Sequence, residues 1–363
     1  MDWMRLKPKI PVFHIPTPHL LGRNGPVHRS EVTTLMPEFR KDPTVDRWVI
    51  IATERAKRPI RPDASDAAQC PFCAGNENMT PPEILVLSDK SDPSSFPNWT
   101  VRVVPNKYPA LVPEGSATQI ADENYEVHSG IGAHEVIIES PYHVTDMALL
   151  GETQFEAILR AYRHRIMELR TDRRFRYILI YKNQGVEAGA TLEHVHSQLI
   201  AMPMVPKLVL EEINAAKNYY EANRRCVFCD AIRKETDGGE RFVIENARYL
   251  VMCPFAPRFP YETWILPKKH SSFFEHNTQQ DDDDLAVILR ETLIRLNRSL
   301  SGPAFNYLIH SSPLERGENN DYHWHMEIIP KLIQVGGFEW GSGSYINPLT
   351  PEQSARSLRA ALT

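Results

Sequence analysis

An internal repeat constrains this chain more than any other feature. Cys70-Pro-Phe-Cys73 returns as Cys226-Val-Phe-Cys229. Ser140-Pro141-Tyr142-His143, behind an apolar run, returns as Leu266-Pro267-Lys268-Lys269-His270. Tyr177-Ile-Leu-Ile-Tyr-Lys182 returns as Phe305-Asn-Tyr-Leu-Ile-His310, and His194-Val-His196-Ser-Gln198 as His323-Trp-His325-Met-Glu327. The order is kept, and His143 stands about as far from His194 as His270 does from His323. Such a long period predicts two copies of one supersecondary unit.

Runs at Trp48–Ala52, Thr100–Val104, Glu135–Glu139, Tyr177–Lys182, His194–Ala201 and Glu262–Leu266 read as strands. Leu150–Leu169 has helical spacing, with Phe155, Ile158, Leu159, Tyr162, Ile166 and Leu169 on one face, and Leu285–Leu300 is its counterpart. Val209–Asn223 reads as a more polar helix. The expected class is α+β, each unit an antiparallel sheet with packed helices. The divisions are an N-terminal arm over 1–36, a first unit over 37–205 and a second over 206–363. Asp281–Asp284 just before the second long helix reads as capping and solvation of its N-terminus rather than a metal site.

Composition narrows the function classes. Lys+Arg 41 against Asp+Glu 46 gives a formal charge of -5, which argues against a basic surface for nucleic acid. The 29 prolines favour short strands and ordered loops over a helical bundle. No stretch approaches a membrane span, and Pro8, Pro11 and Pro16 interrupt the N-terminus where a signal peptide would need an apolar run. A cytoplasmic protein with no membrane partner is expected.

Four of the five cysteines form the two Cys-x-x-Cys pairs; Cys253, in an apolar run, reads as a small core residue. A lone pair of this kind could be a redox couple or half a zinc site. Neither pair has the helix-start context of a thioredoxin-like motif. Each is followed at long range by two histidines, so two closed, structural Cys₂His₂ zinc sites are predicted: Cys70, Cys73, His143, His194 and Cys226, Cys229, His270, His323.

Strand alternation puts His194, His196 and Gln198 on one face. A metal at His194 would hold His196 rigidly as an imidazole nucleophile for phosphorus, with the Gln198 amide beside the phosphoryl oxygens. The preceding loop, Asn183 to Gly189, can bring backbone N–H groups to phosphate, because Gly185 and Gly189 permit close approach. It lacks the Gly-Lys-Ser/Thr of a P-loop. Cations should converge on such a site, and Arg55 and Arg58, then Lys107, are the candidates. His325 has Glu327 where His196 has Gln198, so the second copy reads as non-nucleophilic.

His-x-His-x-Gln behind a glycine-containing loop on a duplicated unit resembles the histidine-triad superfamily, and specifically its galactose-1-phosphate uridylyltransferase branch. The matching segments run from Arg40-Lys-Asp-Pro and Arg55-Ala-Lys-Arg-Pro through Cys70-Pro-Phe-Cys73, Asn106-Lys-Tyr-Pro, Glu139-Ser-Pro-Tyr-His143 and Lys182-Asn-Gln-Gly to Gly336-Gly-Phe-Glu339. The resemblance implies two tandem histidine-triad-like units and a ping-pong exchange. A nucleotide sugar would give its nucleoside monophosphate to His196, and a sugar 1-phosphate or phosphate would then accept it. It further implies Gln198 on the nucleotidyl group, Arg55 and Arg58 near the phosphates, Asn106 and Lys107 near the nucleotide, Phe338 and Glu339 near the hexose, and a homodimer. A histidine/glutamate iron site in some relatives leaves iron open at the second metal.

Val195 and Ser197 depart from the proline and glycine common in uridylyltransferases, and Phe338 from a common tyrosine. Gly336 to Pro348 is similar to a plant-like subgroup of ADP-glucose phosphorylases, which move AMP. Uridylyl transfer from UDP-glucose is the leading expectation and ADP-glucose phosphorolysis the alternative. A histidine-triad nucleotide hydrolase and a non-enzymatic zinc protein are the more distant rivals.

Overall fold

The computed structural model describes residues 36–58, 70–88, 96–116, 118–120 and 125–362. The arm predicted over 1–36 therefore lies outside the described residues, apart from Met36.

In the first repeat the strands are β1 (Glu38–Asp42), β2 (Arg47–Ile51), β3 (Leu85–Leu87), β4 (Val101–Pro105), β5 (Gln119–Ile120), β6 (Val127–Ser129), β7 (Ala133–Ile138), β8 (Tyr177–Gln184) and β9 (His196–Met202). Helix α1 (Glu152–Leu169) lies between β7 and β8. The second repeat brings α2 (Lys207–Asn223), α3 (Val227–Thr236), β10 (Phe242–Glu245), β11 (Tyr249–Met252), β12 (Thr263–Pro267), α4 (Gln279–Leu300), β13 (Phe305–His310) and β14 (His325–Pro330). Two short helices, α5 (Gly337–Ser342) and α6 (Pro351–Ala360), end it.

One antiparallel sheet of ten strands runs through both repeats, in the order β10-β11-β12-β14-β13-β8-β9-β7-β4-β3. The order is a palindrome about the β13–β8 seam: β14 answers β9, β12 answers β7 and β11 answers β4. Strands β2-β1-β6-β5 form a separate four-stranded sheet. The mixed helix and antiparallel sheet is the expected α+β class.

Helices α1 and α4 pack on one face of the large sheet. Phe155, Ile158, Leu159, Tyr162 and Ile166 of α1 join Leu285, Leu289, Leu293 and Leu296 of α4 over Val101, Val103, Ile137, Leu199, Ile265 and Met326. The face predicted for α1 is the face it buries. The opposite sheet face carries two smaller clusters: Cys70, Phe72 and Cys73 on Val104, Val136 and Ile138, and α2 and α3 on Leu250, Met252 and Leu266. Central strands are therefore covered on both sides, and β7 and β14 are buried along their whole length.

Three local expectations change. Helix α4 starts at Gln279, capped by Thr278 in a capping box with Asp281, so Asp281–Asp284 lie inside its first turns rather than before it. Asp282 is buried and ion-paired with Arg163. The second cysteine pair does start a helix, since Cys226 is the N-cap residue of α3. Finally, sheet register pairs Tyr181 with Gln198 but Leu308 with Glu327. Leu308 thus answers Tyr181, and the repeat in these strands is one residue out from the match read in sequence. A one-residue slip exchanges faces: Lys182 and Ile309 point toward α1 and α4, whereas His310 shares the other face with His325.

Candidate active site and metal clusters

The two cysteine–histidine groups come together as their spacing predicts. Within each of the sets Cys70, Cys73, His143, His194 and Cys226, Cys229, His270, His323, the ligand atoms lie within 4.8 Å of one another. Cys70 and Cys73 Sγ are each 3.5 Å from His194 Nδ1, and Cys73 Sγ is 3.4 Å from His143 Nδ1. A tetrahedral ion with bonds of about 2.3 Å to sulfur and about 2.0 Å to nitrogen has S–N edges of about 3.5 Å, so the donor set fits one.

Tautomers support the fit. His194 Nε2–H donates to Ser140 O at 2.8 Å, which leaves the Nδ1 lone pair aimed at the thiols. His323 Nε2–H on Pro267 O (2.9 Å) and His270 Nε2–H on Asn319 O (2.8 Å) repeat the arrangement. With four protein ligands, neither site leaves a place for substrate.

His194 lies just ahead of β9, and His196 is the strand's first residue. His196 and Gln198 face the Phe72 side of the sheet, and the Phe72 ring meets that of His196 edge-on at 5.3 Å. His196 Nδ1–H donates to His194 O at 2.8 Å, so Nε2 carries the free lone pair. Burial pulls the imidazole down to about 4 and keeps it neutral. His194 of the first Cys₂His₂ cluster thus also fixes, through its backbone carbonyl, the tautomer of His196.

Both side chains open into a cavity of about 250 Å³. Arg58, Asn106, Lys107 and Thr191 supply polar groups at its wall, and Phe72, Met79, Pro81, Val104 and Val136 an apolar side. Arg58 is steadied by Thr191 Oγ1 at 2.9 Å. Arg55 is not among the lining side chains; its guanidinium donates to Tyr108 O.

Other sequence candidates lie elsewhere. Gly185 and Gly189 have φ of 83° and 88° and shape a turn against β13, where a Cβ on Gly185 would stand 2.6 Å from Ala304 Cβ. Asn183 Oδ1 accepts from Asn306 in the same turn. None of the three lines the cavity. Phe338 is exposed on α5, and Glu339 accepts from Gly336 N as part of a cap.

The sequence reading missed two groups. Beneath β9, on the helix side, buried Lys182 bonds Glu139 and donates to His196 O at 3.0 Å. Tyr162 ties Glu139 to Ser197 at 2.9 and 2.7 Å. In the second repeat, Glu212, His310 and His325 form a third cluster of potential metal ligands. His310 Nδ1–H donates to Glu212 at 2.8 Å, and Arg258 bridges Glu262 and Glu327. Nothing local in the sequence joins Glu212 to His310; only the placement of Glu212 on α2 and the β13 register bring them to His325.

Residues 29–206 match the model of the galactose-1-phosphate uridyl transferase N-terminal domain, and residues 212–363 that of its C-terminal domain. The chain belongs to the galactose-1-phosphate uridylyltransferase family. It is a nucleotidyltransferase of the uridylyltransferase type. An ADP-glucose phosphorylase of Arabidopsis thaliana is 39% identical over 343 residues, spanning 91% of this chain and 94% of its own. A galactose-1-phosphate uridylyltransferase of Thermotoga maritima is 30% identical over 334 residues, spanning 89% and 98%. Among solved structures, the A. thaliana ADP-glucose phosphorylase with bound ADP-glucose aligns at a TM-score of 0.72 and 38% identity, over 89% of this chain and 99% of that one. A uridylyltransferase aligns at 0.75 and 29%, over 90% and 98%. Among the described residues, no helix is long and apolar enough to cross a membrane.

Proposed function

We propose that this chain moves a nucleoside monophosphate from a nucleotide sugar to a second phosphorylated acceptor through a covalent intermediate on His196. The observation that carries the reading is the geometry of His196, its Nδ1–H fixed on His194 O and its Nε2 at a cavity shared with Gln198 and Arg58.

In the first half-reaction the Nε2 lone pair attacks the α-phosphorus. The P–O bond to the β-phosphate breaks, and sugar 1-phosphate leaves with that electron pair. In the second, an acceptor phosphate oxygen attacks phosphorus, and the P–N bond returns its pair to Nε2. Nδ1–H stays on His194 O throughout, stabilising the positive charge that the ring gains while phosphorylated. Arg58 and Lys107 offset the charge on the phosphates, and Gln198 offers hydrogen bonds to the transferred group. Bound zinc would supply rigidity here, holding the His194 backbone that orients His196.

UDP-glucose with a hexose 1-phosphate acceptor is the reading that the family supports. A second reading, ADP-glucose discharged by inorganic phosphate, is favoured by the 39% identity to an ADP-glucose phosphorylase. The resemblance to uridylyltransferases also supports zinc at both Cys₂His₂ sites, with iron the alternative at the second, a homodimer, a cytoplasmic setting, and Phe338 and Glu339 toward the hexose. A division near residue 206 into a catalytic and a structural half is supported by the two matches, which meet between 206 and 212.

Intact mass after separate incubation with UDP-glucose and ADP-glucose tests the reading. A UMP or AMP adduct is expected, absent in His196→Ala. Discharge by galactose 1-phosphate or by phosphate then identifies the acceptor. No adduct from either sugar nucleotide in metal-loaded protein overturns the proposal.

A further inference from the structure

The amide of Gln198 can do its work in one orientation only, and the side chains around it decide which. Its Oε1 lies 3.0 Å from His134 Nε2, 3.0 Å from the Tyr181 hydroxyl and 3.4 Å from Asn106 Nδ2. The Tyr181 hydroxyl donates in this arrangement, and His134 Nε2 and Asn106 Nδ2 can only donate, because backbone amides force both assignments. Ala110 N–H donates to His134 Nδ1 at 2.9 Å, so that nitrogen carries the lone pair and the proton is on Nε2. Tyr108 N–H donates to Asn106 Oδ1 at 2.9 Å, so the Asn106 amino group is the end that faces Gln198. Turning Gln198 over would set its NH₂ against these donors. The oxygen is therefore locked inward, and the NH₂, which makes no hydrogen bond among the described residues, is left for the cavity that Gln198 shares with His196.

The sheet makes this arrangement rigid. Tyr181 on β8 is the direct cross-strand neighbour of Gln198. His134 on β7 is its diagonal neighbour, two residues from the Val136 that pairs with Gln198. His134 is buried, and burial pulls its imidazole down to about 4, so it remains a neutral single donor near Arg55 and Arg58.

We propose that His134 and Tyr181 are positioning residues that fix the flip of the Gln198 amide, so that its NH₂ and not its oxygen meets the phosphoryl group on His196. The inference rests on the nucleotidyl-transfer reading above. A phosphoryl oxygen is anionic, so a reversed amide would oppose lone pair to negative charge at the point where charge develops.

The test is a mutant cycle read as the single-turnover rate of adduct formation and as kcat and KM for the donor sugar nucleotide. His134→Phe with Tyr181→Phe removes both donors. The expected result is a fall in rate on the order of 10²-fold, with KM little changed, approaching the level of Gln198→Ala. In the Gln198→Ala background the same pair of changes should cost nothing further, an outcome a general packing defect would not give. His134→Gln keeps an N–H donor and should recover most of the rate that His134→Phe loses. His134→Glu places an acceptor there, draws the NH₂ inward and should lose more than His134→Phe. Losses that persist undiminished in the Gln198→Ala background, a double Phe variant at wild-type rate, or equal rates for His134→Gln and His134→Glu would each overturn the proposal. Absence of adduct in the wild-type protein would instead refute the transfer reading itself.

Discussion

The two repeats set nearly the same backbone to different uses. In the first, Phe72 meets His196 edge-on, and Val136 stands across the sheet from Gln198, leaving the cavity open. In the second, Phe228 lies at 4.9 Å from His325, and Trp264 takes the Val136 place opposite Glu327, 5.1 Å from the same imidazole. Two aromatic rings and Glu212 therefore crowd the His325 imidazole, which is fully buried. Polarity is also reversed. Gln198 is surrounded by donors, whereas Glu327 is an acceptor held with Glu262 by Arg258. His325 keeps the fixed tautomer, with Nδ1–H on His323 O at 3.1 Å, yet its Nε2 is sealed in without a hydrogen-bond partner among the described residues. On the transfer reading proposed above, what makes a nucleophile of the first histidine alone is access and the sign of its neighbours, since a backbone beside a Cys₂His₂ cluster is common to both.

The metals proposed for the two Cys₂His₂ clusters give the largest contrast. Structural zinc contributes about 10–16 kcal/mol in small zinc-binding peptides, so Cys73→Ala and Cys229→Ala should each lose one equivalent of metal and much thermal stability. Only Cys73→Ala should also lose transfer in the fraction that remains folded, because only His194 orients His196. Metal analysis, thermal unfolding and adduct mass on the same samples check this. Equal loss of transfer in both variants would break the assignment of catalysis to one half.

Next in size is the proposed nucleophile. His196→Ala should lower transfer by at least about 10⁴-fold, as expected where a covalent step is removed. His325→Ala should leave the rate within about threefold while costing about 2–4 kcal/mol through the cavity it opens. Steady-state rates and denaturant unfolding of the two variants measure the contrast. An adduct surviving in His196→Ala and vanishing in His325→Ala would invert it.

This division of labour was partly legible in the chain. Cysteine and histidine at repeated spacings are rare enough to announce the two Cys₂His₂ clusters, and alternation alone puts His196 and Gln198 on one face. The residues that tune the site were not legible, because sheet register brings them there. His134 sits on β7 and Tyr181 on β8, with no motif tying either to Gln198. Glu212 reaches His310 from a helix that reads only as polar. The seam between β8 and β13 was equally hidden: each strand is apolar enough to be central, but nothing local says that the two repeats share one sheet. A repeat match one residue out at Tyr177–Lys182 was enough to give Lys182 and His310 the same place, although they face opposite sides.

Exchanging the two signature residues sharpens the comparison further. Gln198→Glu turns an amide into a carboxylate beside a phosphate and should lower transfer about 10²–10³-fold, with Arg58 and Lys107 offsetting part of the repulsion. The reciprocal Glu327→Gln should create no nucleophile at His325, since Trp264 and Phe228 still close the space. Mass analysis of Glu327→Gln in a His196→Ala background would reveal any adduct on the second histidine, and its appearance would mean that charge alone silences that copy.

The smallest expected effect is the stability cost of that same Glu327→Gln change. Arg258 is largely covered and shares its guanidinium between Glu262 and Glu327, so the amide leaves one carboxylate facing it instead of two. His310 and His325 also lose a neighbouring negative charge, while Glu212 remains beside both. Removing one partner of a buried pair usually costs about 3–5 kcal/mol. Here the surviving Glu262 and Glu212 should hold the loss to about 1–2 kcal/mol, nearer that of a charged hydrogen bond. Adding Glu262→Gln should then cost more than the first change did, because Arg258 would have no carboxylate left. Denaturant unfolding of the two single variants and the double variant measures this coupling. Simple additivity would show that Glu262 and Glu327 do not share Arg258 in solution.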